Sequence, residues 1–247
     1  LATIGAQGGF MLGFVLYSTG ILIALSMKYT RPKSSETPEG PKTQILEGIR
    51  YIRKSQVMIG TLGVTLILNV FGFSYMSQQP VVAKQILQAS DVMIGILQSI
   101  EGTGAFIGAA LIAVFAKPHH YTRIYMWSSL LFMVAIVLFS QSTVYWVTLI
   151  ILFFGGMGMS GFATMQSAIM IYIASPKMRG RLLGSVAVFI GIGPFGQLGI
   201  GALASILDPA KAVLITAATG IVFMFIAFVV YPAMNKPESL EQDSANV

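Results

Sequence analysis

One acidic side chain lies deep in an apolar run. Glu101 stands about ten residues into the stretch 92–115, roughly 14 Å from its nearer end at 1.5 Å per residue. An ionised carboxylate is costly to bury in lipid, so the group is neutral when dehydrated and ionises when water reaches it. That cycle is what proton exchange requires, and Glu101 is the candidate proton-coupling residue. Helical spacing puts Gln98, Gly104, Ala105 and Gly108 on its side and Ile96, Ile100, Ile107 and Leu111 on the other. Asn69, Tyr75, Gln98 and Gln166 are the candidate substrate contacts, Gln98 in the same run and the others in or near the ends of other apolar runs. Gln78, Gln79 and Gln197 are of the same kind. Met157, Met159, Met165 and Met170 add adaptable side chains that suit binding of varied ligands or filling of a core.

Other chemistries are not supported. Residues 156–161 match G-x-G-x-x-G, but no strand precedes them and they sit inside an apolar run, so they do not form a dinucleotide site. Glycines there permit close helix packing and bending, which makes Gly156, Gly158 and Gly161 candidate gating or packing positions. Pro194 joins them, because it removes a helix hydrogen bond and should kink its run. The two histidines, His119 and His120, are adjacent, which is poor geometry for a metal. No Ser–His–acid set or paired carboxylates appear, and cysteine is absent, so no thiolate site exists. We expect no enzyme, no metal and no cofactor.

The elements that must carry these residues are long and apolar. The chain is 55% hydrophobic and 10% charged, with a mean hydropathy of +0.78. A membrane-crossing helix needs about 20 mainly apolar residues. Seven runs qualify: 8–27, 57–77, 92–115, 124–140, 145–172, 182–206 and 211–232. They are continuous rather than alternating, which favours helices over a barrel. The fold class is therefore all-α integral membrane, multi-pass. The first run has no basic leader and no cleavage site, so it is not a signal peptide.

Charge orients these runs. Of the 15 Lys and Arg residues, all but Lys84 and Lys211 fall in alternate connections. The positive-inside rule makes 28–56, 116–123, 173–181 and the tail cytoplasmic. The net charge of +6 then reflects topology and anionic headgroups, not nucleic acid. Residues 30–42 are rich in Pro and Ser and read as flexible linker. Residues 43–54 are amphipathic: Ile45, Leu46, Ile49 and Ile52 share one face, opposite Glu47, Arg50 and Arg53. We expect this helix to lie on the inner leaflet.

Three stretches resemble the major facilitator superfamily, from the sixth span of that fold to the twelfth. Residues 45–75 look like its linker helix and seventh span. Residues 175–204, with Arg179-Gly180-Arg181, look like its tenth connection and eleventh span. Residues 104–123 stand where the family repeats a Gly–Asp–Arg signature; Gly108 and Arg123 match, and the acidic residue is absent. The nearest resemblance is to drug:proton antiporters, including macrolide-efflux and enterobactin-exporter relatives.

The resemblance implies a domain plan. Residues 1–29 would be the last helix of an amino-terminal half absent from this sequence. Residues 30–56 would be the linker, 57–232 a six-helix carboxy-terminal domain, and 233–247 a cytoplasmic tail. It also implies proton-coupled export of an amphipathic small molecule, such as a drug or siderophore, across a bacterial inner membrane. Substrate would bind near the midplane between two halves. Importers share the fold. A seven-helix receptor shares the span count, but Asp-Arg-Tyr, Asn-Pro-x-x-Tyr and a retinal lysine deep in the last span are missing.

Overall fold

The computed structural model describes residues 5–26 and 41–235. Of the expected flexible linker, 30–42, residues 30–40 lie outside the described residues, as does the tail beyond residue 235, whereas residues 41 and 42 already belong to a helix. No strand occurs among the described residues, as continuous apolar runs require. Two compact units are present, residues 1–40 and 41–247. The first holds α1 (Gly5–Ser26), 22 residues whose continuous apolar part is Gly13–Ser26.

The second unit holds six helical spans long and apolar enough to cross a membrane. An amphipathic helix precedes them, α2 (Pro41–Ile52). The second of the seven runs is α3 (Gln56–Ile67). It continues through a π turn, Leu68–Gly72, and a 3-10 turn, Phe73–Ser77, into the short α4 (Gln79–Gln85). Then come α5 (Asp91–Phe115), α6 (Tyr121–Gln141) and α7 (Tyr145–Ile173). The sixth run is two helices, α8 (Arg179–Ile190) and α9 (Gly193–Ile206), and the last is α10 (Pro209–Val230). The fourth run, short in sequence, reaches 21 residues, because Tyr121, Thr122 and Arg123 extend it at the basic end and Gln141 at the other.

Local chemistry sets several of these boundaries. Ser55 caps α3 by accepting the Met58 N–H at 3.1 Å, and Asp208 caps α10 by accepting from Ala210 at 2.9 Å. Pro209 at the first turn of α10 and Pro194 at that of α9 supply no N–H where none is needed. The kink expected at Pro194 is thus a complete break at Gly191 and Ile192, after which the proline starts a new helix.

Lipid offers no hydrophobic drive between helices, so close approach decides the packing. The middle of α7 lies between α5 and α6 through its glycines. A side chain at Gly156 would overlap the Glu101 carbonyl, and one at Gly104 the Phe153 carbonyl. One at Gly158 would come within 2.7 Å of the Ser128 carbonyl and the Phe132 amide, and Gly161 abuts the Ser128 side chain. The core beneath is aromatic and thioether-rich: Tyr75, Tyr125, Phe132, Phe139, Met126 and Met133 are buried.

The amphipathic helix departs from the expectation. Its polar side also meets the bundle: Glu47 forms an ion pair with Arg181, and the Tyr51 hydroxyl accepts the Ser175 N–H at 2.9 Å. A side chain added at Gly48 would come within 3.9 Å of the Arg181 Cβ, and Ile52 is buried while Ile49 remains exposed. A guanidinium fixed at the start of α8 draws the helix onto the bundle end, and only part of its apolar face is left outward. The side chains of Ile45 and Leu46 lie outside the described residues.

Candidate functional site

The irregular second span builds the site around Glu101. Gly72 ends the π turn where a side chain would crowd Phe132 and Met133, so α6 approaches closely. Tyr75 follows, 1% exposed, with its ring edge-on to Phe132 and Phe139, each at 5.9 Å. Its hydroxyl donates to Oε1 of Glu101. Gln79, four residues on, donates its amide to Oε2 at 3.2 Å. Glu101 itself is 4% exposed. Both carboxyl oxygens therefore have neutral donors, and no lysine or arginine among the described residues pairs with them. Such a cage can hold a carboxyl group in either protonation state, since the Tyr75 hydroxyl can also accept and a turned Gln79 amide presents its oxygen.

A second polar cluster lies among α3, α6 and α7. The Gln166 amide donates to the Thr65 hydroxyl, which is 3.1 Å from the Tyr125 hydroxyl. Tyr125 donates to the Thr61 carbonyl at 2.9 Å, and Asn69 donates to the Thr65 carbonyl at 2.9 Å. All of these residues are buried. Buried hydroxyls and amides bonded across spans are interhelical glue.

The candidate residues thus separate into three groups. Tyr75 joins Glu101. Asn69 and Gln166 join the Thr65–Tyr125 cluster. Gln98 joins neither and is exposed. The stripe expected from helical spacing splits: Glu101, Gly104 and Gly108 are buried, Ala105 is half-buried and Gln98 is exposed. Three residues along a helix turn the side chain by about 60° about the axis, enough to cross the edge of a packed face. Gln197, on α9, is likewise exposed. Neither amide meets a protein partner among the described residues, and these two spans are the least buried of the six.

Thr65 and Tyr125 were not among the candidates, and Gln79 was named only as a further polar residue near the end of its run. The i, i+4 spacing of Tyr75 with Gln79, and of Thr61 with Thr65, was the available signal. The glycines of α7 contact α5 and α6, while Gly196 of α9 meets the Val70 backbone in the π turn.

Comparison with known proteins agrees with this architecture. The profile of a family described as transmembrane secretion effector matches residues 1–247. No curated protein matches the chain. Solved structures with the same fold include the major facilitator proton:xylose symporter XylE bound to 6-bromo-6-deoxy-D-glucose. Its TM-score is 0.57 at 15% identity, over 79% of this chain and 49% of that one. Another is a bacterial homologue of the human lysosomal transporter Spinster, inward-facing and unoccupied. Its TM-score is 0.54 at 15% identity, over 98% of this chain and 59% of that one. At such identity the likeness is one of fold, and the chain spans about half the length of these transporters. The receptor alternative is displaced by the family match. Six apolar spans, one of them broken into α8 and α9, and a profile match from end to end lead to one assignment: the chain belongs to the transmembrane secretion effector family, within the major facilitator superfamily.

Proposed function

We propose that this chain serves a secondary transporter that exports an amphipathic small molecule in exchange for protons, with Glu101 as the proton carrier. The carrying observation is the Glu101 cage: one carboxyl, deep in a span, held by two neutral donors and no cation. A carboxyl without a counter-ion has no structural ion pair to explain it, and intramembrane acids mark proton pathways. The basic connections face the cytoplasm, and the membrane is a bacterial inner membrane.

Substrate contacts follow from exposure. A primary amide facing lipid is expensive, so Gln98 on α5 and Gln197 on α9 border a cavity or another helix. We assign the substrate path to these two exposed faces. Gln166 braces the bundle behind it by bonding Thr65 across spans, Asn69 bonds back within its own span, and Tyr75 reports the state of Glu101. The break at Gly191 and Ile192, ahead of Pro194, gives the sixth span a point about which it can bend, and we assign gating to it. The glycines Gly156, Gly158 and Gly161 hold α7 against its neighbours while this occurs.

The test is efflux of a dye panel from proteoliposomes holding the full-length protein, under an imposed pH gradient. Glu101→Gln should insert and fold normally, lose gradient-driven accumulation and keep downhill exchange. Glu101→Asp should be milder. Unimpaired pumping by Glu101→Gln would remove the carrier role. Accumulation in the opposite sense would make the protein an importer.

A further inference from the structure

A groove of about 540 Å³ runs between α6 and α10 at the end of the bundle that carries the basic connections. Arg123, Trp127 and Leu130 line one wall, and Phe225 and Phe228 the other. Positions 123, 127 and 130 are spaced four and three apart, so they form one stripe down α6. The stripe begins with a cation and becomes apolar toward the middle of the span. Trp127 is 63% exposed and stands edge-on to Phe228 with ring centres 6.0 Å apart. Arg123, Trp127 and Phe225 are all exposed, so the groove is open to whatever surrounds the bundle at this depth.

We propose that this groove is a binding site for one anionic phospholipid, with the headgroup phosphate at Arg123 and an acyl chain along Trp127, Leu130 and Phe225. Charge complementarity selects this occupant. A guanidinium presents paired N–H donors that match a phosphate. Lys117 lies just outside the same helix start, and no acidic residue occupies the first turn of α6. Below this polar mouth the walls are wholly apolar, which suits a hydrocarbon chain and not a soluble anion. A tryptophan at the boundary is where indole rings favour the headgroup level. This site is separate from the Glu101 cage, so its test does not depend on transport.

The chain has two tryptophans, and Trp146 starts α7 at the opposite end of the span from Arg123. In a Trp146→Phe protein, Trp127 is the only fluorophore of its kind in this chain. The experiment reconstitutes it in vesicles containing brominated phosphatidylglycerol or brominated phosphatidylcholine and reads quenching of Trp127. The expected result is about a fivefold preference for the anionic lipid, the scale set by one basic side chain at an anionic surface. Arg123→Lys should keep most of it, and Arg123→Gln should abolish it. Equal quenching by the two lipids overturns the proposal, leaving ordinary lipid solvation, and that comparison needs no Arg123 variant to fold. A preference undiminished in Arg123→Gln also overturns it, because the selectivity would then belong to the diffuse charge of this end.

Discussion

Two buried hydroxyls make opposite predictions. The Tyr75 hydroxyl serves the Glu101 carboxyl, and nothing else among the described residues replaces it at Oε1. Tyr75→Phe removes a donor to a buried, potentially charged acceptor, at a cost of roughly 1.5–3 kcal/mol. Denaturant unfolding in detergent should show that loss. The Thr122 hydroxyl, also fully buried, has no hydrogen-bond partner among the described residues. Thr122→Val keeps the shape and removes the unsatisfied group, so it should gain roughly 1 kcal/mol in the same assay. A loss at Thr122→Val would mean that the hydroxyl finds a partner in the membrane. Both experiments act on single polar atoms whose value depends on burial and not on residue type.

At the level of elements, the second and sixth spans are the irregular ones, and they touch. Gly196 of α9 faces the Val70 backbone in the π turn, and an added side chain would come within 2.8 Å of the Val70 Cα. Gly199, one turn further, has open space around it. Gly196→Leu should therefore lower the melting temperature in detergent, since overpacking costs roughly 1–3 kcal/mol, whereas Gly199→Leu should leave it unchanged. Equal effects would mean that the two spans do not meet at this contact. The same logic applies to α7. Gly158→Leu would drive a side chain into the α6 backbone, so we expect normal insertion but a lower melting temperature and no transport. The π turn sits between the Thr65 cluster and Tyr75, so movement of α9 against it reaches both polar clusters through one element.

For the whole molecule, sidedness can be read directly because the chain has no cysteine of its own. Lys54→Cys, at the basic end, should resist an impermeant external thiol reagent in intact cells, while Gln88→Cys, between α4 and α5, should label. The reverse pattern would invert the topology assigned by charge. The proposed substrate path adds a second whole-molecule expectation. Gln98→Cys and Gln197→Cys lie on the two least buried spans, and substrate should slow their modification by a small permeant thiol reagent. Asn69→Cys and Gln166→Cys, buried in the bundle, should react slowly with or without substrate.

Six of the seven apolar runs and the basic asymmetry were legible in the chain itself. Lipid imposes a uniform demand, about 20 apolar residues with every backbone group satisfied within the helix, and that demand is written locally. Glu101 was legible for the same reason, because one acid among so many apolar neighbours stands out without any structure. Its partners were not. Whether Gln79 or Gln98 shares its side depends on where α7 packs across α5, which is decided by Gly156 and Gly104 meeting backbone on another helix. Tyr125 and Thr65 are ordinary span residues until α3, α6 and α7 bring their hydroxyls together with Gln166. That α2 is a helix was legible from its pattern, but its docking depended on Arg181, far away in sequence. Sequence alone determined what must be in the membrane. Tertiary structure decided which polar atoms are consumed by packing and which remain to act, because burial of a side chain is set by its neighbours across the bundle.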